Sequence, residues 1–226
     1  GKRFPAGGVT PAGVIEASLD GIERAARLEL ALSVGETSNR YPLWVYPGGG
    51  ASAPEGIVVA DDWAAAKDAL NAGGCVFLDP PSSVALNAVP THFSTDFWSV
   101  GTFPCQSGTM GQLIDASHPV FDRFPTETYT EWQWWPMASS RAVLVPQALK
   151  PIVRALDSFQ TLRPLAQLFE CRVGAGRLMF SSFALRELTG WPEGAALLSA
   201  IYDYMASDAF APEQALTQET IAKIFT

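Results

Sequence analysis

The sequence is poor in the residues on which most catalytic, metal and nucleic-acid sites depend. It has only two histidines and three cysteines. His92 and His118 stand far apart, and no H-E-x-x-H or other paired-ligand spacing occurs, so the common zinc signatures are missing. Cys75, Cys105 and Cys171 are widely spaced without a C-x-x-C pair. That excludes a legible disulfide framework or zinc knuckle and leaves buried or half-buried thiols as the expectation. Lys and Arg number 15 against 23 Asp and Glu, for a net charge of −8. With no Lys/Arg cluster, the chain lacks the basic stripe that releases counterions from a phosphate backbone, so no nucleic-acid partner is expected. Charged residues are scarce at 17% and hydrophobic ones make up 48%, which argues against disorder. No apolar run reaches the ~18 residues of a membrane span. The chain opens on Gly1 without a basic segment and apolar stretch behind it, so it reads as a processed or excised piece whose export signal, if any, lies upstream.

What is present is organised in two parts. At 226 residues the chain fits one ordinary domain and a small appendage. Leu28, Leu30, Leu32 and Val34 alternate with polar residues, the period of a half-buried strand over Ala26–Val34. Tyr41–Tyr46 is also strand-like, with Pro42 favouring an edge. Gly48-Gly49-Gly50-Ala51-Ser52-Ala53-Pro54 then marks the best boundary, dividing residues 1–50 from 51–226. Beyond it, Ile57–Ala60, a helix capped by Asp61 or Asp62, the stop Gly73-Gly74 and the run Cys75–Leu78 predict a βαβ unit with a parallel strand pair. Residues 79–107 read as a long loop. A short helix is expected over Gly108–Asp115. Strands are expected over Ala142–Val145, Pro151–Leu156, Leu165–Cys171 and Arg177–Ser181, and helices over Glu193–Ala206 and Pro212–Phe225.

The chemistry legible in this frame is sparse. No nucleophile elbow of the G-x-S-x-G kind occurs, Cys75 opens a strand, and Cys105 lacks flanking glycines, so no catalytic residue is assigned. The Gly174-x-Gly176 pair lies between strands, where it cannot cradle a phosphate, and no cofactor or metal is expected. Glu127 and Glu131 share a face at their spacing, the minimum for a glycosidase acid pair, although two solvated acids would look the same. His118, ahead of Pro119, suits a turn with a backbone hydrogen bond. Tyr129, Trp132, Trp134 and Trp135 cluster within a few residues and Trp98 lies in the loop. Indoles serve cores, domain interfaces and sugar contacts alike. In open α/β sheets ligands collect outside the carboxyl ends of the strands. Asp61, Asp62, Asp79, Asp157 and Ser182 follow predicted strands, so Asp61, Asp79 and Asp157, with Trp98, Trp132, Trp134 and Trp135, form the candidate ligand-binding set.

Several stretches carry a resemblance to a known family: Trp44-Val45-Tyr46-Pro47, the run from His118-Pro119 to Glu127, Trp132-Gln133-Trp134-Trp135, Leu149-Lys150-Pro151 through Asp157, and Phe169-Glu170 through Leu178. They make the chain look like the C-terminal region of bacterial glycoside hydrolase family 2 proteins of the sugar-binding, β-galactosidase-like kind. The resemblance implies an α/β fold with a mostly parallel sheet flanked by helices, class I glutamine amidotransferase-like and flavodoxin-like, preceded by a few β-sandwich-type strands. It implies upstream domains of the same polypeptide as partners, an oligosaccharide as a further one, and a periplasmic or extracellular location. The catalytic glutamates of such enzymes belong to a separate barrel, so none transfers to this chain. The expectation is a non-catalytic accessory domain of a carbohydrate-degrading enzyme. A carbohydrate-binding module using the tryptophans, and a hydrolase using Glu127 and Glu131 or Cys105, are the alternatives.

Overall fold

The computed structural model describes residues 6–93, 102–103 and 109–226. β1 (Ala26–Val34) and β2 (Thr37–Val45) form an antiparallel hairpin, in register from Ala26↔Val45 to Val34↔Thr37. Gly35, at φ +61, occupies the first position of its two-residue turn, where a hairpin of this type needs positive φ. Leu28 faces Leu43 and Leu30 faces Tyr41 across the pair, so one surface of the hairpin is apolar. Two anchors join this arm to the body. The Tyr46 ring stacks on Phe124 at 5.6 Å while its hydroxyl donates to Gln133 Oε1, and Arg27 pairs with Glu127 at 3.3 Å.

The body begins with β3 (Ile57–Ala60), α1 (Trp63–Asn71) and β4 (Cys75–Leu78). Asp62 caps α1, its carboxylate accepting from Ala65 N at 2.8 Å. β3 and β4 are parallel, as the βαβ pattern requires. Next come β5 (Ala88–Pro90), β6 (Thr109–Ile114), α2 (Trp135–Ala138), β7 (Arg141–Leu144) and β8 (Val153–Asp157). β9 (Leu165–Val173), β10 (Gly176–Ser181), α3 (Pro192–Met205) and α4 (Gln218–Ala222) complete the order. One sheet runs β3-β4-β10-β9-β7-β5, with β8 also on β9 and β6 on β8.

This arrangement corrects the expected fold. Among the described strands of this sheet only β3/β4 and β4/β10 are parallel, and the pairs β10/β9, β9/β7, β9/β8, β7/β5 and β8/β6 are antiparallel. The sheet is therefore mixed, not the mostly parallel sheet of a flavodoxin-like or amidotransferase-like fold. The physical reason is the supply of crossovers. A parallel pair needs a long connection, usually a helix. The chain spends one such helix on β3-α1-β4, and β9 and β10 are joined by a tight turn at Gly174, φ +61. Ahead of the body, β1 and β2 form their own small antiparallel sheet. The helix expected over Gly108–Asp115 is strand β6. Thr109, Gln112 and Ile114 point inward, and Gly111 at φ +105 takes up the register shift between Thr109 and Gln112. The helix expected over Pro212–Phe225 shrinks to α4 and a 3-10 turn.

Period-two alternation divides the core between the two faces of the sheet. Phe77, Met179 and Leu168 pack with α3 residues Leu197 and Ile201 and with Trp134. Val76, Leu78, Leu178 and Phe180 pack with Ala66 and Leu70 of α1 and Ile221 beyond them. The close approach of α1 depends on Gly176, where a Cβ would lie 2.7 Å from Leu70 Cα. Among the described residues, no helix is long and apolar enough to cross a membrane.

Candidate functional site

The carboxyl ends of β3, β4 and β10 meet at one edge of the sheet, and the turn after β10 is strained. Ala184 adopts left-handed geometry, φ 56 and ψ 50, ahead of the 3-10 turn Leu185–Leu188. Such a conformation costs a residue with a Cβ about 1–2 kcal/mol. It directs two consecutive N–H groups at a single point, a concavity suited to an anion. The group that fills it is the protein's own carboxyl. Asp79, 1% exposed, accepts from Leu185 N at 3.1 Å and Arg186 N at 3.1 Å. Burial pushes its carboxyl above the usual range, and the Ser181 side chain, the two N–H groups and the Arg186 guanidinium pull it back down.

Arg186 closes the crevice from above. Its guanidinium reaches the exposed Asp61 and donates to Asp79 O at 3.1 Å, with Nε 3.7 Å from the Asp79 carboxylate. Arg141 seals the side, donating from Nη2 to the carbonyls of Pro80 and Pro81 at 2.8 Å each and from Nη1 to Val84 O. Ser182 Oγ donates to Arg141 O at 2.6 Å. Asp61 and Asp79 thus do converge, but on internal partners. Asp157 is not part of this group. It fastens its own turn, accepting from Thr161 Oγ1 at 2.7 Å and from Arg163 N, Nε and Nη2 at 2.7, 2.8 and 2.9 Å. Burial would raise its carboxyl, but these donors overcome it and hold the group well below the usual range.

The aromatic cluster splits. Trp134 is fully buried, meets Phe121, Phe124 and Phe183, and donates from Nε1 to Thr126 Oγ1 at 2.9 Å. Trp132 and Trp135 are 63% and 52% exposed. Phe93 joins them, its ring stacked 5.3 Å from Trp132 and edge-on 5.1 Å from Trp135. Trp98 and Cys105 lie outside the described residues.

Two family models match the chain, domain of unknown function DUF8487 over residues 58–226 and domain of unknown function DUF8488 over residues 1–47. The chain belongs to the DUF8487 family. No curated protein matches it. The DUF8487 match takes in both the Asp79–Arg186 cluster and the aromatic group, whereas the DUF8488 match ends just past β2.

Among the described residues of the DUF8487 region, several further reactive side chains are committed or inaccessible. Cys75 and Cys171 are buried free thiols. Burial, with Glu170 beside it, pushes the Cys171 thiol up to about 12, and burial raises Cys75 despite Arg177. His118 accepts from Val120 N through Nδ1 at 3.3 Å, as its turn position suggested. Its Nε2 lies 3.8 Å from Glu170 Oε1, whose other oxygen accepts from Tyr204 at 2.8 Å. Glu127 is paired with Arg27, and the charge of Glu131 is the chief cause that pushes the Tyr129 hydroxyl up. Among the described residues no group of three or more His, Cys, Asp or Glu could hold a metal ion. Reasoning from strand-end acids missed Arg141 and Arg186, the cations that neutralise them. Arg186 was findable, because it follows Ser182 in the same loop that the strand-end argument had already singled out.

Proposed function

We propose that this chain is a non-catalytic accessory domain of a carbohydrate-degrading glycoside hydrolase, packing on or bordering the catalytic domain of the same polypeptide. The observation that carries the reading is the filled strand-end crevice. The position at which an open α/β sheet would receive a ligand holds Asp79, with Arg186 over it and Asp61 beyond. A site whose anion-binding N–H groups are occupied by an internal carboxylate has no vacancy for a substrate oxyanion. The resemblance of the His118–Glu127 and Trp132–Trp135 stretches to glycoside hydrolase family 2 proteins supplies the enzyme class, and with it a periplasmic or extracellular setting.

The half-covered hairpin agrees with a neighbouring domain: Leu32, Val34, Tyr41 and Leu43 are exposed on it. The test has two arms. This chain alone should release no chromophore from nitrophenyl glycosides, and turnover abolished by Glu127→Gln would overturn the reading in favour of a hydrolase. The reading frame that encodes the chain should also carry a glycoside hydrolase barrel ahead of Gly1; a frame that starts at Gly1 would sink the proposal.

A further inference from the structure

Trp132 and Trp135 leave 63% and 52% of their surface in water, on either side of residues that the fold holds rigidly. Between them Gln133 is buried, donating to Pro125 O at 3.0 Å and accepting from Tyr46, and Trp134 is locked among three phenylalanines. The 3-10 turn Trp132–Trp134 passes directly into α2, with Pro136 in its first turn. The inward pair therefore fixes where the outward pair stands. Phe93 completes the surface. Its ring is 27° from the plane of Trp132, the two indoles are tilted by 36°, and its backbone N–H is tied to Ser139 Oγ at 3.2 Å.

We propose that Phe93, Trp132 and Trp135 form a stacking platform for a pyranose ring of a neutral oligosaccharide. The polar residue that precedes Trp132 in the chain, Glu131, is an acceptor. Its charge acts on Tyr129, which is 52% exposed, while Glu127 is paired with Arg27. Flat apolar faces meet the C–H surface of a sugar, and the carboxylate of Glu131, next to Trp132 in the chain, can accept from its hydroxyls. A platform that is preordered loses little entropy on binding. The choice of a sugar as occupant rests in part on the accessory reading above.

The test is calorimetric titration of the 226-residue protein with cellotetraose, xylotetraose, mannotetraose and β-1,4-galactotetraose. At least one should bind saturably. Trp132→Ala and Trp135→Ala should each weaken that binding about tenfold, the scale of one lost aromatic contact, whereas Trp191→Ala, at another exposed indole, should leave it unchanged. In the unaltered protein, the indole N–H resonances of Trp132 and Trp135 should shift on titration while that of Trp134 stays still. Absence of binding to all four sugars, binding insensitive to both substitutions, or a dimer that dissociates in Trp132→Ala would each overturn the platform. An upstream barrel found without sugar binding removes the platform alone; sugar binding without a barrel removes the accessory reading alone.

Discussion

Removing the Asp79 carboxylate should be the most damaging single change at the strand ends. In Asp79→Ala the N–H groups of Leu185 and Arg186, both bonded to that carboxylate, lose their acceptor in the interior. Each orphaned group costs about 1–3 kcal/mol. Arg186 retains Asp61 and partial access to water, so its loss is discounted. The total is then about 3–5 kcal/mol, the range for removing one partner of a buried pair. At about 2–4 °C per kcal/mol for a chain this long, the melting temperature should fall by about 6–20 °C.

Asp79→Asn keeps one acceptor oxygen and should cost about 1–2 kcal/mol. Its pH dependence is diagnostic. The folded carboxyl is raised, so its contribution is complete below the ordinary value of about 3.9 and is lost as pH rises through the raised one. The asparagine variant lacks this titration, and its deficit should shrink as pH rises. Urea unfolding at several pH values measures both effects. An alanine deficit under about 1 kcal/mol would refute the view that Asp79 is the acceptor that fills this turn, and an asparagine deficit that grows with pH would refute a raised carboxyl there.

Asp157 should behave with the opposite sign. Its folded carboxyl is depressed, so its contribution is present above about pH 3.9 and lost as pH falls through the folded value. Asp157→Asn should cost about 2–3 kcal/mol at neutral pH, with urea titrations converging on the parent protein in acid. Leu162 holds φ +48 while 72% exposed, so Leu162→Gly should raise stability by about 0.5–1 kcal/mol in the same assay; a loss would show that the side chain packs. Gly194 lies in α3, where alanine ordinarily gains about 1 kcal/mol. A Cβ there would sit 2.4 Å from Leu188 O, and overpacking of about 1–3 kcal/mol should make Gly194→Ala a net loss by thermal melting.

Local pattern was a good guide where a segment contacts one surface. The alternation from Leu28 to Val34, the Asp62 cap and the Gly73-Gly74 stop all describe β1, α1 and the step into β4 as they stand. Strand direction was legible where a glycine turn or a helix joins neighbours in sequence, as at the Gly174 hairpin of β9 and β10 and in β3-α1-β4, but not for β5, β6, β7 and β8, whose partners lie elsewhere in the chain. β6 escaped because one glycine bulge breaks its alternation. In the site, the convergence of Asp61 and Asp79 followed from topology, but the guanidiniums that fill the crevice carry no periodic mark, Arg141 coming from β7 two strands beyond β10 and Arg186 from the turn after β10. The aromatic run announced itself, although composition could not separate buried Trp134 from exposed Trp132 and Trp135. That division depends on a 3-10 turn too short to leave a pattern.

The small β1/β2 sheet has a consequence for how the protein behaves in concentrated solution. A sheet of two strands has two outer edges, each with a row of backbone donors and acceptors open to pairing, and here they border an apolar surface that includes Leu32, Val34, Tyr41 and Leu43. On β1 and β2 the features that discourage a third strand are Pro42 and the charges of Arg27, Glu29 and Arg40, the last two of which pair with each other. Separated from a neighbour that covers this arm, the chain carries a template for strand addition, and its solubility will depend on what occupies that edge more than on the stability of the body behind it.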